Sequence, residues 1–177
     1  MKMGMLKNFF LDFRYRKDYV SYARYLGATV GDNCKFLSNP RKCFGSEPWL
    51  IKIGNHVEIT GGVILLTHDG STWIIREEHP ELASWGTIEI GNNVFIGVRS
   101  IIMPNVKIGN NVVIGAGSIV TKDVDDGTVV AGIPARVICD VGSFSSKIIN
   151  KSIPVLGLSK MEQIDFCKRY FEDFYEQ

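Results

Sequence analysis

Ile90-Gly91-Asn92-Asn93-Val94-Phe95-Ile96-Gly97-Val98-Arg99-Ser100-Ile101-Ile102 begins a run in which an aliphatic residue returns at every sixth position, continuing through Ile108, Ile114 and Val120. Four places after each of these comes a second small or branched residue: Val94, Ser100, Val106, Val112, Ser118 and Val124. A period of six is neither the helical period nor a strand alternation. It is the repeat of a parallel β-helix, in which short strands lie on the flat faces of a prism and a turn falls at every corner. The first and fifth residues of each hexapeptide then point inward and stack into aliphatic ladders. Gly91-Asn92-Asn93 and Gly109-Asn110-Asn111 supply corner turns.

Working outward, the repeat zone runs from Val30 to about Val137: an irregular first coil to Pro48, a regular one on Ile53, Ile59 and Leu65, an interruption, and the strict run from Ile90. At ~4.8 Å between strands, about five coils make a prism of roughly 24 Å. Mixed three and four spacing of Phe9, Phe10, Phe13, Tyr19, Tyr22, Ala23 and Leu26 predicts one or two amphipathic helices over residues 5–26, ended by Gly27. After a Gly/Ser-rich stretch, residues 159–175 predict a helix with Ser159 as N-cap and Met161, Ile164, Phe166, Phe171 and Phe174 as apolar positions. The expected organisation is an N-terminal helical segment 1–28, a β-helix 29–140 with an extruded loop 70–86, and a linker and C-terminal helix 141–177.

With 177 residues the chain is long enough to bury its own core, and a formal charge of +1 with interspersed signs gives no basic stripe for nucleic acid. Asn8, Asp12 and Arg14 interrupt the N-terminus, which leaves no apolar run of signal-peptide or membrane-spanning length, so a cytoplasmic protein is expected. The four cysteines, Cys34, Cys43, Cys139 and Cys167, form no Cys-x-x-Cys pair, so neither zinc nor a redox motif is indicated, and Cys34 falls in an inward slot.

Function belongs at the interruption. From Leu65 the register requires an inward residue at Ser71, yet the next clean hexapeptide starts at Ile90; between them lie His68, Asp69, Trp73, Arg76, His79 and Trp85. A long excursion carrying two Trp predicts an ordered arm over a cleft. His68 holds an outward corner slot beside that arm. Asp69 follows in a slot that points inward, where a carboxylate needs a partner, either the imidazole or nearby backbone N–H groups. His56 holds the same slot as His68 with no loop beside it and reads as surface, as does His79.

The run from Ile90, ending Ile114-Gly115-Ala116-Gly117-Ser118-Ile119-Val120-Thr121-Lys122-Asp123-Val124 and Val130-Ala131-Gly132-Ile133-Pro134-Ala135-Arg136-Val137-Ile138, resembles the hexapeptide-repeat acyltransferases. Within them, Phe44-Gly45-Ser46-Glu47-Pro48-Trp49-Leu50-Ile51 with Thr67-His68-Asp69-Gly70 and Trp73 is similar to the branch that O-acetylates sugars of capsular polysaccharide and lipopolysaccharide. The resemblance covers about residues 18–140. It implies an all-β, left-handed parallel β-helix with flanking helices, acetyl-CoA as acyl donor with no metal, and a homotrimer.

The resemblance also implies roles. His68 matches the family's catalytic histidine, with Asp69 beside it, and an imidazole suits removal of a hydroxyl proton during direct transfer from the thioester. Val98, Ala116, Thr121 and Lys122 fall along the pantetheine arm, in a groove between prisms, with Arg136 near the nucleotide phosphates. Family members often carry Gly, Ala or Ser at Val98, Trp at Phe95, and a second base at Cys139. Glu47, Trp73, Arg76 and Trp85 are the candidates for binding a glycan acceptor, since aromatic faces stack on sugar rings. Maltose and galactoside acetyltransferases place an Asn near Leu50, which this sequence lacks, so a different acceptor is expected. Alternatives are an N-acetyltransferase of an amino-sugar nucleotide and a noncatalytic assembly module. A metal-dependent hydratase sharing the prism needs a close His pair, whereas His56, His68 and His79 are twelve and eleven positions apart.

Overall fold

The computed structural model describes residues 2–172, with side chains from Asn8. Its helices α1 (Lys2–Arg14), α2 (Tyr19–Tyr25) and α3 (Pro40–Cys43) precede or interrupt the first coil. The strands are β1 (Thr29–Val30), β2 (Lys35–Phe36), β3 (Ile51–Ile53), β4 (Val57–Ile59), β5 (Ile64–Leu65), β6 (His68–Asp69) and β7 (Ser84–Trp85), followed by β8 (Ile88–Ile90), β9 (Val94–Ile96) and β10 (Ile101–Ile102). Then come β11 (Val106–Ile108), β12 (Val112–Ile114), β13 (Ile119–Val120), β14 (Thr128–Gly132) and β15 (Ala135–Asp140). Helices α4 (Val141–Lys151) and α5 (Lys160–Tyr170) close the order.

Three parallel ladders form the faces of the prism: β1-β3-β8-β11, β2-β4-β9-β12-β14 and β5-β10-β13. The register stacks like on like. Ile53 pairs with Ile90 and Ile90 with Ile108; Val57 pairs with Val94 and Val94 with Val112; Leu65 pairs with Ile102 and Ile102 with Val120. From Ile90 to Val124 every first and fifth slot is buried, so strands of two or three residues are held by the shared interior rather than by strand length. The two inward serines keep their hydroxyls satisfied: Ser100 and Ser118 both donate to Gly115 O, at 3.0 and 2.6 Å.

The corners follow from asparagine chemistry. Asn33, His56, Asn93 and Asn111 all sit in the left-handed region at φ 54° to 55°, which Asn tolerates better than most residues. One position earlier, each backbone N–H donates to the Asn or Asp side chain of the next coil: Asn55 N to Asn92 Oδ1 at 2.8 Å, Asn92 N to Asn110 Oδ1 at 2.9 Å, and Asn110 N to Asp126 Oδ1 at 2.7 Å. Glycines let the coils approach at this corner. A Cβ at Gly54 would lie 2.6 Å from Gly91 O, and one at Gly91 2.6 Å from Gly109 O. Gly91→Ala is therefore expected to destabilise the chain by about 1–3 kcal/mol, measured as a fall in Tm of roughly 5 °C.

The predicted N-terminal helices are α1 and α2. Asp18 caps α2 by accepting from Ser21 N at 2.9 Å, and Gly27 follows its end at φ 109°. Cys34 packs against the core, and burial pushes the Cys43 thiol up. Residues from Ser145 form a second compact unit. Its helix α5 starts at the predicted Ser159, in a capping box with Glu162: Ser159 N donates to Glu162 Oε2 at 2.7 Å. Phe174 lies outside the described residues.

Candidate active site

The interruption begins where β6 leaves the prism. His68 and Asp69 pair antiparallel with Trp85 and Ser84 of β7, so the base of the arm is a two-stranded clasp, and Gly86 N donates to Thr67 O at 2.8 Å where the chain returns. Between the two strands, residues Gly70–Ile75 form a short 3-10 helix.

This departure decides what Asp69 does. The six-residue register ends at Leu65, so Asp69 is exposed rather than inward, and its Oδ1 accepts from Ser71 N at 2.8 Å, capping the 3-10 helix. That backbone bond, with the Ser71 side chain next, holds its carboxyl below the usual range. The imidazole has a different partner. His68 Nδ1 lies 3.0 Å from Glu47 Oε2, and the same oxygen accepts from Thr67 Oγ1 at 2.8 Å. Glu47, expected among the acceptor-binding groups, is 6% exposed, lies beneath the imidazole and reaches the wall of the cleft under the arm. In the neutral imidazole, donation from Nδ1 to that carboxylate oxygen leaves the lone pair on Nε2.

Register explains the pairing. Phe44 bridges Leu65 in parallel across adjacent coils, so the third residue after each, Glu47 and His68, stack as neighbours. The helix α3 sets this offset: Asn39 caps it by accepting from Arg41 N at 3.0 Å, Pro40 opens it, and the chain re-enters the prism at Phe44. Gly45 lets Thr67 close in, because a Cβ there would collide with Thr67 Oγ1.

Two clefts meet at His68. One of about 340 Å³ is lined by Leu26, Arg41, Phe44, Gly45, Ser46 and Pro48. The other, about 290 Å³, lies under the arm and includes Ser46, Glu47, Thr72, Arg76, Ser84 and Trp85. Arg76 also donates to Thr72 Oγ1 at 3.0 Å. The structure thus gathers His68, Glu47, Arg76 and Trp85, while Trp73 is 79% exposed and absent from this cleft's wall.

The expected donor residues gather separately. Lys122 and Arg136 line one cleft of about 230 Å³ with Val120, Val130, Ala135 and Val137. Val98 is on the adjoining coil to Ala116, with Gly117 N donating to Val98 O at 2.8 Å, and Thr121 is exposed beside Lys122. A wider hollow of about 650 Å³ along the first face, from Lys52 to Asp126, holds none of the expected site residues. Thr67 and Ser46 stand in the quoted motifs without a role of their own; their place beside His68 follows from the bridge of Phe44 to Leu65.

Comparison with known proteins bears on this geometry. The family model for the bacterial transferase hexapeptide (six repeats) matches residues 87–122. Protein CapG of Staphylococcus aureus is 51% identical over 147 residues, 83% of this chain and 86% of that protein. A hexapeptide-repeat containing acetyltransferase from Vibrio cholerae superposes with a TM-score of 0.59 at 22% identity, over 74% of this chain and 86% of that one. The serine acetyltransferase of Brucella abortus in complex with coenzyme A superposes with a TM-score of 0.51 at 26% identity, over 66% of this chain and 41% of its own. The chain spans about two fifths of the length of the serine acetyltransferases it matches.

Proposed function

Because the chain belongs to the hexapeptide-repeat acyltransferase family, we propose that it is an acetyl-CoA-dependent O-acetyltransferase acting on a sugar hydroxyl, in surface-polysaccharide biosynthesis. The observation that carries this reading is the imidazole of His68, held through Nδ1 by the buried Glu47 with Nε2 free at the junction of two clefts. A base held in a single orientation is what activates a weakly acidic hydroxyl.

In the transfer, the acceptor hydroxyl oxygen attacks the thioester carbonyl as Nε2 of His68 takes its proton. The tetrahedral intermediate collapses, the C–S bond breaks, and the imidazolium returns the proton to the leaving thiolate. Products are the acetyl ester and CoA. Glu47 accepts from Nδ1–H throughout and stabilises the imidazolium; Arg76 and Trp85 face the acceptor. Asp69 acts through the arm, whose 3-10 helix it caps. No covalent acyl-enzyme is required, because holding both substrates already removes much of the entropic barrier.

The donor runs along Val98, Ala116, Thr121 and Lys122, with Arg136 at the phosphates. In this reading the prism winds left-handed and three copies stand side by side, so that the Lys122–Arg136 cleft of one copy completes the His68 clefts of its neighbour. The coenzyme A complex of the serine acetyltransferase supports the choice of donor.

The test is CoA release from acetyl-CoA across a panel of sugars and amino-sugar nucleotides, with the product's ester or amide identified by base lability. A base-labile ester is expected; a base-stable amide, or release no faster than hydrolysis with every hydroxyl acceptor, overturns the reading. In the same assay Lys122→Ala/Arg136→Ala is expected to raise KM for acetyl-CoA by about 10–100-fold, the loss of charged hydrogen bonds, with a smaller change in kcat.

A further inference from the structure

Helix α1 has one face committed to the fold. Asp12 Oδ1 accepts from Tyr22 Oη and Asn39 Nδ2, both at 2.9 Å, and Arg41 grips the carboxylate with Nε at 3.2 Å and Nη2 at 2.6 Å. Arg41 holds the Asp12 carboxyl well below the usual range. Tyr15, just beyond the helix, stacks on Tyr22 with ring centroids 4.9 Å apart. Four hydrogen bonds from three residues on one carboxylate fix the helix in place. Arg41 at the same time lines a cleft of His68.

The other face is aromatic and faces water. Phe9, Phe10 and Phe13, brought together by three and four spacing, are 65%, 62% and 58% exposed. Beyond them Arg14, Arg16 and Lys17 are all exposed, and Arg16 lies over the Phe13 ring at 3.9 Å. From Lys2 to Lys17 the sequence carries Lys2, Lys7, Arg14, Arg16 and Lys17 against the single acid Asp12, which Arg41 already neutralises. Among the described residues nothing covers these three phenylalanines, and contiguous apolar patches of this kind mark a contact surface.

Charge and area choose the occupant. A second copy would set one basic rim against another, and about 400 Å² of aromatic surface is half of what a standard protein interface buries on each side, about 800 Å². A bilayer with anionic headgroups meets both features, since aromatic rings enter the headgroup–acyl boundary while the bases meet phosphates. Among the described residues no helix is long and apolar enough to cross a membrane; the interface plane is the arrangement open to a 13-residue helix such as α1. We propose that α1 docks this chain on an anionic lipid bilayer through Phe9, Phe10 and Phe13, with Arg14, Arg16 and Lys17 on the lipid phosphates. The Asp12–Arg41 tie then links the docked helix to the wall of a His68 cleft. The docking rests on the surface of α1 and holds whatever acceptor the imidazole serves.

Flotation of the full chain with vesicles tests this. Binding to phosphatidylglycerol/phosphatidylcholine vesicles is expected to be at least tenfold tighter than to phosphatidylcholine alone and to weaken in high salt. Phe9→Ala/Phe10→Ala/Phe13→Ala should lose about tenfold or more in vesicle affinity and keep its thermal unfolding and rate of CoA release. Should that variant fail to fold, Arg14→Glu/Lys17→Glu provides the second arm, expected to lose binding to the anionic vesicles. No binding of the wild-type chain to anionic vesicles overturns the proposal. So does undiminished binding by a folded variant, or a changed oligomeric state of the triple variant in the absence of lipid, which would make the face an interface between copies.

Discussion

His68→Ala is expected to lose a factor of roughly 10²–10⁴ in turnover, the usual contribution of a positioned general base, while the assembly and the KM for acetyl-CoA hold. The expectation rests on a contrast within the chain. His56 occupies the equivalent corner slot one coil face away, but its Nδ1 pairs with Asn93 Oδ1 at 2.8 Å, and Asn93 continues to Asn111 Oδ1 at 2.8 Å. That ring is a member of the corner ladder at φ 55°, with no arm above it. His56→Asn should therefore leave CoA release unchanged and keep or raise Tm, since Asn accepts this backbone conformation more readily than His. Truncating His68 leaves the prism intact, because its side chain is 38% exposed and fills no inward slot. Turnover equal to wild type in His68→Ala, measured with an acceptor that supports CoA release, would remove the proton-transfer step from the mechanism.

How far the sequence carries depends on which force decides each residue. Ile90 to Val124 was legible because burial alone decides it: every sixth position and its companion four places on must be apolar or, like Ser100 and Ser118, satisfied from within. The Gly-Asn-Asn corners were legible because few residues accept left-handed backbone. The pairing of Glu47 with the His68 imidazole was not legible. A glutamate before a proline has the composition of an exposed loop, and its burial becomes affordable only through Thr67 and His68, twenty and twenty-one residues away. That contact is set by the bridge of Phe44 to Leu65, which depends on α3 taking up slack in the first coil. Asp69 was placed inward by continuing a register that stops at Leu65, where antiparallel pairing with the returning strand takes over. Trp73, on the outer side of the 3-10 helix, shows that an aromatic in an arm does not by itself line a cleft.

Glu47→Gln is expected to reduce kcat by up to about 10⁴-fold, the order seen when the carboxylate partner of a catalytic imidazole is replaced by its amide, with little change in KM for acetyl-CoA. The substitution keeps size and burial, so the floor of the site survives. What changes is donor and acceptor chemistry: the amide of Glu47→Gln offers N–H as readily as C=O to Nδ1, so the tautomer with its lone pair on Nε2 is no longer enforced, and the imidazolium formed during transfer loses a facing negative charge. Thr67→Val supplies the graded control, removing only the hydroxyl that fixes Glu47 Oε2 at 2.8 Å, and should cost less than Glu47→Gln. A purely structural role for Glu47 would lower Tm and scale down active protein without this separation of kcat from KM. The decisive comparison is the double variant. If Glu47 acts only through the imidazole, His68→Ala/Glu47→Gln turns over no more slowly than His68→Ala alone, because residues that work as a unit are non-additive. Additive losses in the double variant would assign Glu47 an independent contact with the acceptor and return it to the glycan-binding role that its position in the sequence first suggests.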